Sequence, residues 1–178
     1  MELMFVLIAI IQIFSISLGV GSSTLAVTNF FVAIADGKID ETERKMMGIA
    51  YVVLRVAMVT ILITTALLVV RTLATAGLAG ITTFMVAELT MIAVLYINAT
   101  LMTLRIMPST VGPAFQAASW YALGALNALM ALQLAHFTYI QFLLGFVADC
   151  ALNVCITNGL MWYFKAKRAK QIPPTSTT

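Results

Sequence analysis

Five separate runs of this chain are each apolar enough and long enough to cross a bilayer, at roughly residues 5–34, 46–70, 81–104, 114–135 and 137–164. A helix covers ~30 Å of hydrocarbon with about 20 residues, and every run reaches that length. In lipid, each backbone N–H and C=O must be satisfied internally, so helices or a closed barrel are the available solutions. The runs are too long for barrel strands of about 10 residues. The expected fold is therefore all-α, a polytopic membrane protein built as one five-helix transmembrane bundle over residues 1–170, with 171–178 as a polar, disordered cytoplasmic tail.

Composition agrees with this reading. Hydrophobic residues make up 62% of the 178 and charged residues 10%, with a mean hydropathy of +1.03. A soluble domain of that composition would have almost nothing polar to present to water. Met1-Glu2-Leu3-Met4 lacks a positive n-region and the run behind it is long, so no cleavable signal peptide is expected.

The net charge of +3 reflects topology rather than nucleic-acid binding. Lys38, Arg44 and Lys45 separate the first two runs, Arg105 follows the third, and Lys165, Lys167, Arg168 and Lys170 follow the fifth. With five spans all eight fall on one side; only Arg71 flanks a span on the other, and Arg55 lies within one. The positive-inside rule then places the N-terminus outside and the C-terminus in the cytoplasm of a multi-pass cell-membrane protein. The partner expected first is the lipid bilayer itself.

The connections carry their own signals. Asp40-Glu41-Thr42-Glu43 has capping-box spacing at the start of the second helix. The run 36–43 copies the second half of an EF-hand loop, but Val32 and Ile34 stand where oxygen ligands are required, so calcium is not expected. Gly77-Leu-Ala-Gly80 and Pro108-Ser-Thr-Val-Gly-Pro113 make the next two turns, with Pro113 suited to a first helical position. The fourth turn, near His136-Phe137-Thr138, shows no strong breaker.

Three groups of residues are candidates for chemistry. Gln12, Ser15, Gly19, Ser22, Ala26, Asn29 and Ala33 repeat at three-four spacing along the first span. Such a stripe reads as a close-packing seam, Ser15, Gly19, Ser22 and Ala26 above all; the alternative is a polar path that uses the larger Gln12 and Asn29. Arg55, Glu88 and Asp149 are the ionisable residues within the spans, where a charge costs at least ~2.5 kcal/mol unless it faces a partner. Helical rise puts Arg55 about 14 Å from the inner face, Asp149 about 18 Å from the outer face and Glu88 about 10 Å from the outer face. Arg55 is thus expected to point inward, pairing with Asp149, Glu88 or both. One cation against two carboxylates leaves a surplus negative charge that a bound proton or cation would resolve. Asn98, Asn127, Gln141 and Asn153, with Thr157 and Asn158, would line a hydrated cavity around the trio.

Other chemistry finds little purchase. His136, the single histidine, sits at the outer end of the fourth span and lacks a second histidine for a b-type haem or the spacing of a zinc site. Cys150 and Cys155 form neither a CxxC pair nor a disulfide frame. No catalytic set, phosphate loop or dinucleotide fingerprint is present; no catalytic residue, metal or cofactor is assigned, and an enzyme is the less favoured reading.

Gly19-Val-Gly-Ser-Ser-Thr24, followed by Asp36-Gly-Lys-Ile39 and Glu43, resembles a group of small, uncharacterised bacterial inner-membrane proteins with a glycine-rich first helix and an Asp-Gly-x-Ile turn. Phe84-Met-Val-Ala-Glu88, Ile97-Asn98 and Pro108 are similar to that group's third helix, although lysine is expected there in place of Glu88, so no role tied to that lysine transfers. The group is distantly similar to copper-resistance-D-like membrane proteins, and the resemblance spans residues 12 to 110. Three functions follow as expectations: transport or permeation of a small solute or ion through the charged cluster, with oligomerisation needed to enclose a pathway; an accessory or assembly role in which the polar seam receives a partner helix; and, from the distant resemblance alone, a haem-binding redox protein.

Overall fold

A computed structural model describes residues 2–36, 40–108 and 111–169. Among the described residues five helices follow the five apolar runs: α1 Glu2–Asp36, α2 Glu41–Ala76, α3 Thr83–Thr103, α4 Gly112–Ala131 and α5 Tyr139–Ala169, with a short 3-10 turn at Gly77–Gly80. Among the described residues there is no strand. The tail 171–178, Lys170 and Gly37, Lys38 and Ile39 of the Asp-Gly-x-Ile turn lie outside the described residues, as do Ser109 and Thr110.

Local chemistry accounts for the boundaries. At the start of α2, Glu43 N donates to Asp40 Oδ1 at 2.6 Å and Asp40 N to Glu43 Oε2 at 3.0 Å, the reciprocal pair anticipated from spacing. Thr82 caps α3 by accepting from Met85 N. At α5, Thr138 N donates to Gln141 Oε1 at 2.9 Å while Gln141 N donates to Thr138 Oγ1 at 3.3 Å. The fourth turn thus carries a second capping box, Thr138-Tyr-Ile-Gln141, which supplies the missing breaker. Pro113 occupies the second rather than the first residue of α4.

Helices α3 and α4 end alike. Ile106 N bonds Leu101 O and Arg105 N bonds Met102 O; Leu134 N bonds Leu129 O and Gln133 N bonds Met130 O. These are Schellman closures, with Arg105 and Gln133 each at φ 57° in the left-handed position. The fourth run was expected to continue to residue 135; the reversal at Gln133 stops α4 at Ala131.

Contacts run in a ring, α1 to α2 to α3 to α4 and back to α1, and α5 packs on α4 while reaching α1 and α3. The core between them is formed by Leu54, Ile61, Met91, Leu95, Trp120 and Leu123. Large apolar side chains such as Phe14, Ile63, Ile140 and Leu144 point outward and are exposed, as lipid-facing residues are. Helices α1, α2, α3 and α5 are long and apolar enough to cross a membrane. The 20-residue α4 is not among them, contrary to expectation. Gln116, Ser119, Tyr121 and Asn127 dilute its apolar character, yet Ala114, Ala117, Ala118, Trp120, Leu123 and Leu126 are all buried. A helix flanked by α1, α3 and α5 presents most of its surface to protein, so lipid does not dictate its composition.

At one end of the bundle Arg71 Nη2 lies 3.2 Å from Glu2 Oε1, and its guanidinium sits 4.3 Å from the Phe5 ring centroid. This pins the start of α1 to the last turns of α2.

Candidate functional site

The inward stripe of α3 reads Ala87, Glu88, Met91, Ile92, Leu95 and Asn98. Glu88 therefore projects into the bundle in the second turn of α3, where it is 4% exposed. Gln12 of α1 and Thr65 of α2 meet it there. Gln12 Nε2 donates both to Thr65 Oγ1, at 3.0 Å, and to Glu88 Oε1. Thr65 Oγ1 stands 3.4 Å from the same carboxyl oxygen. One amide, one hydroxyl and one carboxyl from three helices thus close a buried polar ring. Gln12 and Thr65 are themselves buried, and Ser15 and Thr64 lie alongside.

Arg55 does not join this ring. It is exposed, and among the described residues no ion pair links it to Glu88 or Asp149. The buried face of α2 follows Ala50, Leu54, Ala57, Met58, Ile61, Thr64 and Thr65. At about 100° per residue, Arg55 is turned roughly that far from Leu54, past the edge of the face. Helical rise estimates depth but not azimuth, and azimuth separates Arg55 from the two acids. It lies instead beside Met58, Tyr96 and Thr103 in a shallow depression between α2 and α3. The expected charged cluster is not assembled.

Asp149 occupies a separate place on α5. Asn153 Nδ2 donates to Asp149 Oδ1 at 2.9 Å and to its backbone O at 2.9 Å. Asp149 Oδ2 is enclosed without a hydrogen-bond partner. The residue borders a groove of about 370 Å³ between α4 and α5.

The other polar candidates scatter. Asn98, 1% exposed, donates from Nδ2 to Gly112 O at 3.1 Å and to Gln116 Oε1 at 2.7 Å, tying α3 to the start of α4. Asn127 turns back to its own helix, at Leu123 O. Gln141 is the α5 cap described above, and Thr157 is buried while Asn158 is exposed. They do not line one common cavity. Along α1 the buried edge runs through Gln12, Ser15, Ile16, Gly19 and Ser23, leaving Ser22 and Ala26 half-buried at its margin. A strict three-four repeat drifts off a 3.6-residue helix, and Ser23 takes the place expected of Ser22. Gly19 lies against the Trp120 ring. Asn29 Nδ2 is enclosed and unpaired.

Two participants were missed. Thr65 was legible as a continuation of the Leu54–Met58–Ile61 spacing, and Gln116 as the polar residue one turn beyond Gly112. His136 is exposed in the α4–α5 connection, and Cys150 and Cys155 are free thiols. Among the described residues no group of three or more His, Cys, Asp or Glu could hold a metal ion.

Comparison with family models, with curated proteins and with solved structures gave no match.

Proposed function

We propose that this chain is a small transport or permeation protein of a cell membrane, with Glu88 as the group that carries a proton or a cation through its cycle. The observation that carries the reading is a carboxyl buried among spanning helices, hydrogen-bonded by Gln12 and Thr65 and, among the described residues, paired with no cation. Ionised carboxylates without a counter-charge are expensive at membrane depth, and those that occur there mark ion paths and proton relays. A carboxyl met only by neutral donors can exchange a proton or small cation without breaking an ion pair. Arg55, turned away, has no part in the step.

The bacterial inner membrane is the setting we propose, from the resemblance over residues 12 to 110, with the N-terminus outside and the C-terminus in the cytoplasm. A pathway through so narrow a bundle is best completed by a second copy of the chain.

Purified protein reconstituted into liposomes with imposed proton or sodium gradients tests the proposal. Flux above that of empty liposomes is expected, and it is lost in Glu88→Gln while the variant keeps its helix content and monodispersity. Wild-type flux equal to that of empty liposomes would favour the accessory, helix-receiving role. Full flux in Glu88→Gln would remove Glu88 from the path.

A further inference from the structure

The groove between α4 and α5 has walls and a floor of different chemistry. Leu126 and Leu129 of α4 and Phe142 and Phe146 of α5 line it, and Asp149 is the one acid in its lining. Its volume of about 370 Å³ lies within the range of small-molecule pockets. Phe142 and Phe146 stack with centroids 6.5 Å apart and ring planes within 10°, presenting flat aromatic surface beside the acid. The carboxyl is half used: Asn153 holds Oδ1, while Oδ2 has no partner. No basic side chain lines the groove and no ion pair reaches Asp149 among the described residues.

We propose that this groove binds an organic monocation with an apolar body, an aryl or alkyl ammonium that enters from the bilayer. Charge complementarity selects the occupant. An acid in apolar surroundings gains from a cation, whereas a neutral hydrocarbon leaves Oδ2 unsatisfied and an anion is repelled. The aromatic faces add cation–π attraction to the ammonium and dispersion to its body. Asp χ2 is a broad, soft torsion, so either carboxyl oxygen can turn toward the ligand. Gly145 keeps the groove open: a Cβ built there meets nothing within 4 Å. The site is separate from Glu88 and does not depend on the transport reading.

Equilibrium dialysis of benzyltrimethylammonium against the full chain in a nonionic detergent tests this, with the uncharged isostere neopentylbenzene as control. Saturable binding of the cation is expected, weakened about tenfold or more in Asp149→Asn through loss of a charge-assisted contact. Binding of the neutral isostere should be weak and the same in both proteins. Gly145→Phe leaves the acid in place and fills the groove, so it should also abolish cation binding while circular dichroism stays unchanged. Equal cation affinity in wild type and Asp149→Asn overturns the proposal, as does wild-type affinity in Gly145→Phe. Competitive displacement of the probe by phosphatidylcholine would make phospholipid the occupant and overturn it equally.

Discussion

Single residues in this bundle differ sharply in what they tolerate, and the glycines show it best. A Cβ at Gly19 would collide with the Trp120 ring, which is fully buried. At Gly21, two residues on, nothing lies within 4 Å. Gly19→Ala is therefore expected to destabilise by about 1–3 kcal/mol through overpacking. Gly21→Ala should be neutral or stabilise by up to about 1 kcal/mol from helix propensity. Thermal unfolding in detergent followed by circular dichroism checks both, and equal shifts would place Trp120 elsewhere. Glu88 offers a second contrast. Glu88→Gln keeps an acceptor for Gln12 and Thr65, whereas Glu88→Ala strands their donors at a cost of about 1–3 kcal/mol. The same measurement should rank wild type and Glu88→Gln together, with Glu88→Ala below them.

At the scale of elements, the helix ends are the parts most open to improvement. Gln133 holds a left-handed position that glycine occupies without steric cost, and the α4 closure needs that geometry. Gln133→Gly should thus raise stability by about 1 kcal/mol, from the penalty an L side chain incurs there. A lower melting temperature in that variant would show that the Gln133 side chain contributes more than its backbone costs. The α5 cap predicts the opposite sign. Thr138→Ala removes the acceptor for Gln141 N and should cost about 1 kcal/mol. Hydrogen exchange in the first turn of α5 should accelerate, and unchanged protection there would mean tertiary packing alone holds the turn.

For the whole molecule, the expected outcome concerns orientation. If all five helices cross, eight Lys/Arg fall on one side and Arg71 on the other, so reporter fusions after Lys170 should be active only in their cytoplasmic form. A periplasmic signal there would invert the bundle or change the number of spans. Because α4 is the least lipid-like helix yet the most enclosed, this test also bears on it: if α4 did not cross, the two termini would share a side. The Glu2–Arg71 pair sits at the proposed outer end. Its Glu2 end is 90% exposed, so loss of the Glu2 carboxylate should shift stability by well under about 1 kcal/mol.

The sequence by itself determined that this is a helical membrane protein, how many helices it forms, and how its second helix begins. Those properties follow from run length, apolar composition and cap spacing, which are local along the chain. It also placed Glu88 and Gln12 among the candidates, because polar residues within apolar runs must find partners. The pairing was decided by tertiary structure. Helical rise predicts compatible depths for Arg55 and Asp149, but depth is one coordinate, and a rotation of about 100° on α2 carries Arg55 outside while Thr64 and Thr65 face in. The partners of Glu88 come from α1 and α2, and only the packing of those helices against α3 sets which side chains share its level. Likewise the α4–α5 groove depends on how two helices splay from their short connection, a property of the assembled bundle that no stretch of sequence contains.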